Sequence, residues 1–264
     1  MADRRVKRRP IAILAAVTAA AAIAASFVPA FPQDPAYHDF ADRSRVLGIA
    51  HFGDVASNLG FLLVGTLSLA FMAGRRGARL FAVPGERWPF RLYFAGLAAA
   101  ALGSGYYHLD PSNAALAWDR LALSVPTMAL LAAFIVDRIH NGLAALATLP
   151  VLLILGAGSV VTWHLSEAAG HGDLRFYALV QILPVLLIPL ICLLFEGRHT
   201  SGKYVLYMVF WYLLARICEL LDRQIDGVLG GLVSGHTLKH LFAAVAAYAM
   251  LAMLRAASRT GGIR

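Results

Sequence analysis

Long apolar runs, separated by short polar segments, dominate the chain. Each run is close to the length of about 20 residues that a helix needs to cross the hydrocarbon core of a bilayer. Because lipid offers the backbone no hydrogen-bond partners, we expect every run to be helical. The pattern predicts an all-α, polytopic transmembrane bundle with a seven-helix core and one extra N-terminal helix. The predicted spans are 10–30, 52–74, 91–108, 114–136, 143–163, 175–195, 203–221 and 236–254.

The loops between the spans are short, so we expect no separate soluble domain. A basic tail and the extra helix occupy residues 1–34, the core occupies 35–256, and a second tail follows at 257–264. The first span resembles a signal peptide in its basic flank. Its apolar run is longer than a typical h-region and no A-x-A cleavage site closes it, which predicts an uncleaved helix.

Composition supports the membrane interpretation. Hydrophobic residues make up 59% of the chain and charged residues only 14%, whereas a soluble domain has about 45–50% apolar and about 25% charged residues. This excludes a soluble globular protein, and with it a disordered, collagen-like or coiled-coil chain. Two cysteines exclude a disulfide framework.

The formal net charge of +8 has a topological explanation. If the N-terminus is cytoplasmic, sixteen Lys and Arg residues fall on the cytoplasmic side and four on the opposite side. The positive-inside rule therefore predicts that both termini are cytoplasmic. This asymmetry accounts for the basic chain without a nucleic-acid partner, and no protein partner is indicated.

Polar and ionisable side chains recur at one depth, at the outer ends of five predicted spans. Such residues are costly inside a bilayer and usually functional, so a shared level indicates a common site. This outer polar layer consists of Asp54, Ser57, Asn58, Ser104, His108, Asp119, Arg120, Glu219, Asp222, His236, Lys239 and His240.

Three histidines of this layer can form a metal site. His236 and His240 are four residues apart, so their side chains leave one face of the last helix. His108, from the third span, can supply a third nitrogen, and three protein ligands with an open position are typical of catalytic zinc. Asp119 can then take a proton from the activated water, and Ser104, one turn before His108, can hydrogen-bond the water or a developing oxyanion.

Other charged residues of the layer are expected to be structural. Arg120 and Arg216 are predicted to form ion pairs with carboxylates of the layer, and Lys239 is predicted to extend outward. The remaining histidines are expected to be solvated or interfacial.

The motif Ser104-x-x-x-His108, then Asp119, then His236-x-x-x-His240 resembles that of the alkaline ceramidase family. This family belongs to a superfamily of seven-helix membrane hydrolases that includes the adiponectin-type receptors. The segment from Phe52 to Asn58 resembles the start of the family's first helix, and Asp222-Arg223 resembles a conserved helix end. The resemblance covers roughly residues 38–254.

The resemblance implies a zinc ion held by His108, His236 and His240. It implies that Asp119 handles the proton, with Ser104 as its helper and with Asp222, Asn58 and Ser57 as a supporting polar shell. The implied reaction is hydrolysis of the amide bond of ceramide or a similar N-acyl lipid. The membrane lipid would enter laterally from the bilayer, and the site would face the outer leaflet.

A second, calcium site is a weaker implication of the resemblance. Eukaryotic members carry an acidic stretch before the first core helix, and Asp39, Asp42 and Ser44 occupy the similar stretch here. Calcium prefers six to eight oxygen ligands, of which this stretch supplies few.

Three other functions remain open from the sequence. The same residues could belong to a zinc-containing, receptor-like protein that binds lipid without turnover. They could also hold a b-type haem, with His108 opposite His236 or His240 as axial ligands. A transporter, with the intramembrane charges as a proton pathway, is the weakest alternative because these charges share one depth.

Overall fold

The computed structural model describes residues 8–81, 83–139 and 143–259. The predicted basic residues Arg4, Arg5 and Lys7 and the predicted tail from residue 260 onward lie outside the described residues. The helices are α1 (Arg8–Phe27), α2 (Phe52–Ser57), α3 (Leu59–Ala73), α4 (Arg75–Ala78), α5 (Trp88–Leu109), α6 (Asn113–Arg138), α7 (Leu143–Ala168), α8 (Arg175–Leu194), α9 (Gly202–Leu220), α10 (Asp222–Val228) and α11 (Gly235–Arg259).

The predicted all-α, polytopic bundle is confirmed, with helices at all eight predicted spans. Within the described residues, six helical segments are long and apolar enough to cross a membrane. The pair α9 and α10, bent by 80° at their junction, brings the number to seven. α5 is not among them, because polar residues lower its mean hydropathy. These are Arg91 near one end and Ser104 and His108 near the other. The set is consistent with a multi-pass membrane protein.

The helices pack in the order α9, α11, α3, α5, α6 and then α7 with α8. α5 and α6 form the most extensive contact, whereas α8 and α9 barely touch although they follow each other in the chain. α1 packs against α8, and none of its residues is buried. The core helices therefore form a continuous packed series from α9 to α8, and α1 lies outside it as the predicted extra helix.

Glycines bring α5 and α6 close together. A Cβ added at Gly96 would lie 2.6 Å from Cδ of Pro126, and one added at Gly103 would lie 2.8 Å from Cβ of Ala122. Small residues on a shared face let the backbones of membrane helices approach each other. This approach holds Asp119 on α6 beside the outer half of α5.

A buried polar cluster ties the opposite end of α6 to the segment between α8 and α9. Nδ1 of His199 lies 2.8 Å from Oδ1 of Asp137, and its Nε2 lies 2.7 Å from the carbonyl oxygen of Leu80. The backbone N–H of Thr200 donates to Asp137 at 3.0 Å, and Arg138 Nε donates to the Thr200 hydroxyl at 2.8 Å. The expectation that His199 is solvated or interfacial is wrong, because both of its ring nitrogens find partners inside the protein.

The segment between α1 and α2 covers the end of the bundle that carries the polar layer. It contains a two-stranded antiparallel hairpin, β1 (Arg45–Val46) with β2 (Ile49–Ala50). Leu47 and Gly48 form its turn with φ angles of 52° and 83°, as a two-residue hairpin turn of type I′ requires. Phe40, earlier in the same segment, is buried against the polar layer.

Candidate metal centre

Three histidines converge inside the end of the bundle that carries the polar layer. His108 on α5 and His236 and His240 on α11 each offer a ring nitrogen within 4.8 Å of the others, and all three side chains are buried. Their ring centroids are 4.8 to 5.0 Å apart. The predicted meeting of these imidazoles is confirmed, and a set of three nitrogen ligands suits zinc, copper, iron or nickel. The geometry does not identify the metal.

Helix α2 orients His240. Nδ1 of His240 lies 3.1 Å from the carbonyl oxygen of Asp54 and 2.9 Å from the hydroxyl of Ser57. A carbonyl can only accept, so Nδ1 carries the hydrogen and Nε2 keeps its lone pair. Asn58 Nδ2 donates to the same carbonyl at 2.8 Å, and its 3.4 Å approach to Nδ1 brings two N–H groups together without a hydrogen bond. Of the predicted shell residues, Ser57 therefore helps fix the ring orientation that a metal ligand needs, and Asn58 acts only through the shared carbonyl.

His108 has a ring nitrogen without a partner. Its Nδ1 is buried and makes no hydrogen bond, although buried polar atoms nearly always have a partner. The Phe40 ring lies 4.5 Å from that of His108 and 4.7 Å from that of His236, between centroids. Phe40, from the segment between α1 and α2, thus covers the cluster. An unpartnered nitrogen within a shielded group of imidazoles fits a metal ligand.

Lys239 does not extend outward as the sequence predicts. Its ammonium nitrogen lies 2.8 Å from Nε2 of His236 and 3.1 Å from a carboxylate oxygen of Glu219. Arg216 pairs with the same carboxylate, as the sequence predicts. The Lys239 charge opposes a metal cation, while Glu219 offsets it. A metal on Nε2 of His236 therefore requires Lys239 to move fully onto Glu219, where it already has a partner.

Asp119 on α6 lies within reach of Ser104 on α5 and of the Lys239 charge, and its carboxylate is incompletely bonded. The residue is 7% exposed and its Oδ1 is buried without a hydrogen bond. The Ser104 side chain is close enough to bond this carboxylate, and the charges of Lys239 and Glu219 act on it. The structure thus brings Asp119 and Ser104 together, as predicted. A carboxylate with free lone pairs in a buried site is able to accept a proton.

Two aspartates hold the start of α11, which carries two of the histidines. Asp222 accepts the backbone N–H of His236 at 2.7 Å and that of Ala41 at 2.9 Å. Asp54 Oδ1 accepts the hydroxyls of Ser234 at 2.8 Å and Thr237 at 2.7 Å. Asp222, predicted as a supporting residue, therefore fixes His236 through its backbone.

The proposed calcium residues are engaged in other contacts. Hydrogen bonds from Arg43 and then Arg223 hold the pKa of Asp39 below its ordinary value. Burial acts to raise the pKa of Asp42, but bonds from Ser44 and from the backbone N–H of Asp54 hold it below its ordinary value. N–H donors thus take the oxygens that a cation would need. The calcium site stays a prediction without geometric support.

Replacing Asp54 with alanine is expected to lower both stability and metal affinity. The side chain is fully buried, and its loss leaves the Ser234 and Thr237 hydroxyls without this acceptor, at about 1–3 kcal/mol for an unsatisfied buried group. Loosening α11 should weaken metal binding by about 10- to 100-fold, as for other outer-shell partners. Thermal unfolding in detergent and a metal titration measure the two effects. Asp226→Ala on α10 is the matched control, and an unchanged unfolding temperature for Asp54→Ala would contradict the role.

Comparison with known proteins does not assign the chain to a family. No family model matches the chain, and no curated protein matches it. The likeness to alkaline ceramidases therefore rests on the motif residues, and membership of that family stays a prediction.

Sequence reasoning missed or misplaced three residues of the centre. Nothing in the sequence distinguishes Phe40 from other aromatic residues, so its contact with the histidines could not be predicted. Lys239 and Arg120 belong to the polar layer, but the spacing of residues gives depth and not partners.

Proposed function

We propose that this protein is an integral-membrane, zinc-dependent hydrolase that cleaves the amide bond of ceramide or a similar N-acyl lipid. The observation that carries the proposal is the buried triad of His108, His236 and His240, together with the Asp119 carboxylate, which has an unpartnered oxygen and feels the charge of Lys239, the neighbour of His236. Zinc bound there would supply Lewis acidity that polarises an amide carbonyl and activates water. The resemblance to alkaline ceramidases supports the same reaction.

The side chains around the triad have separate roles in this reaction. Oδ1 of Asp119 accepts a proton from the attacking water and returns it to the leaving amine, a general-base and general-acid role. Ser104 orients the Asp119 carboxylate. Water adds its oxygen to the acyl carbon, the carbon–nitrogen bond breaks, and the products are a fatty acid and an amine.

A lipid substrate needs a route from the bilayer. The boundary between α8 and α9 is the proposed lateral entrance, because these two consecutive helices pack less closely than the neighbouring helix pairs of the core. The Lys and Arg asymmetry supports cytoplasmic termini, which places the centre towards the outer leaflet. Substrate would therefore enter sideways from that leaflet without leaving the membrane.

Detergent-purified protein tests the proposal. We expect about one zinc ion per chain and release of fatty acid from a panel of neutral and acidic N-acyl lipids. A chelator should abolish the release, and added zinc, but not calcium, should restore it. Bound zinc without release from any of the lipids would contradict the hydrolase and favour the receptor-like alternative, whereas a Soret absorbance band would indicate haem.

A further inference from the structure

Arg120 lies in a cage of aromatic rings next to the candidate centre. It follows Asp119 directly on α6 and is 6% exposed. Its guanidinium carbon lies 4.1 Å from the ring centroid of Trp163 and 4.5 Å from that of Tyr177. Tyr37 adds a third ring at 5.8 Å. These contacts allow cation–π attraction and fix the plane of the guanidinium.

The hydrogen bonding of Arg120 is incomplete. One terminal nitrogen donates to the side-chain oxygen of Gln33, while the other, NH1, is buried without a partner. Among the described residues Arg120 forms no ion pair. The predicted pairing with a carboxylate of the polar layer is therefore wrong.

The carboxylates that might have neutralised Arg120 have other partners. Glu219 pairs with Arg216 and Lys239, and Asp222 accepts two backbone N–H groups. Asp119, the nearest in sequence, acts on Arg120 through its charge but stays beyond ion-pair distance. A cation at membrane depth without a counter-ion is costly.

A structural role explains only part of this environment. The bond to Gln33 ties α6 to the segment after α1, and Glu167 on α7 joins the same network through the backbone N–H of Gln33 and Nε1 of Trp163. This network uses one end of the guanidinium and leaves NH1 free. A free, buried N–H₂ group of a cation is suited to an anionic oxygen from a ligand.

We infer that Arg120 binds a carboxylate carried by the substrate near its scissile amide, so that the substrate class is the N-acyl amino acids. The inference rests on the proposed amide hydrolysis. The charges of Asp119 and Arg120 act on each other, and both act on the Tyr37 hydroxyl, so a ligand that reaches the proton-handling carboxylate comes within reach of the guanidinium. In an N-acyl amino acid the carboxylate and the amide nitrogen are attached to one carbon atom, which matches this adjacency.

Turnover of two matched lipids tests the inference. N-oleoylglycine carries the carboxylate, and N-oleoylethanolamine replaces it with a neutral alcohol. We expect the intact protein to prefer the acid, and Arg120→Gln to lower kcat/KM for it by about 100-fold, typical for loss of one partner of a buried charge pair. The loss for the neutral lipid should stay below about 5-fold, since it offers no charge for Arg120 to bind. Arg45→Gln, at an exposed position of β1, is the control for loss of one positive charge.

Equal losses on both lipids, or equal turnover of both by the intact protein, would overturn the inference and leave the hydrolase standing. Calorimetric binding of the two lipids separates the site from catalysis. Tighter binding of N-oleoylglycine that is lost in Arg120→Gln would support the Arg120 site even if neither lipid is cleaved. Lack of cleavage would then refute only the proposed hydrolase. Oleate tests the other source of a carboxylate, the fatty-acid product. Arg120-dependent binding of oleate alone would assign the site to product and overturn the substrate class.

Discussion

Replacing His240 with alanine is expected to abolish metal binding and hydrolysis together. His240 supplies one of only three nitrogens in the triad, and its ring is oriented by the Asp54 carbonyl and the Ser57 hydroxyl. Loss of an outer-shell partner already costs 10- to 100-fold in metal affinity, so loss of a ligand should exceed about 100-fold. Metal content of the purified variant, from about one ion per chain to almost none, measures the effect.

The control for this variant is His171→Ala, at an exposed histidine in the loop after α7. It should keep its metal and its activity. Circular dichroism should show the same helix content in both variants, because neither change removes a helix. A His240→Ala protein that retains metal at the original affinity would rule out the triad as the metal site.

Replacing Asp119 with asparagine should separate catalysis from metal binding. The amide keeps the size of the side chain but cannot accept a proton at the buried Oδ1, which has no hydrogen-bond partner among the described residues. We expect hydrolysis to fall by about 100- to 10,000-fold, the usual contribution of a general acid–base residue. Metal content should stay within about twofold of the original, because the three ligands are histidines.

The matched control is Asp110→Asn, at an exposed aspartate in the turn between α5 and α6. It removes the same charge at the same end of the bundle, so its activity should stay close to that of the original protein. If Asp119→Asn retains full activity, another group handles the proton. If it loses the metal as well, Asp119 supports the metal and has no separate catalytic role.

The depth of the site follows from local sequence. An apolar run of about 20 residues must form a helix across the bilayer, so the position of a polar residue along its run fixes its level. For this reason the polar layer and the pairing of His236 with His240 on one face were predictable. The meeting of His108 with them was predictable only as a consequence of their shared level.

The partners within that level were not predictable. Lys239 contacts His236, and Arg120 faces aromatic rings. The contact of Lys239 with His236 is an i, i+3 pair on α11 that the spacing permits. The pairing of Lys239 with Glu219 on α9 and the rings around Arg120 do not follow from spacing along one helix, because they belong to other segments. The oxygens of Asp39 could be assigned to arginines only once Arg223, far along the chain, was seen beside them.

The sequence alone therefore determined the all-α membrane bundle, the level of the polar layer and the nitrogen donors of the candidate centre. The tertiary structure decided which charges are neutralised, which ring shields the histidines and which buried atoms stay without partners. The physical reason is that hydropathy and helix periodicity act within one segment. Neutralisation, shielding and hydrogen-bond satisfaction depend on contacts between segments that are distant in the chain.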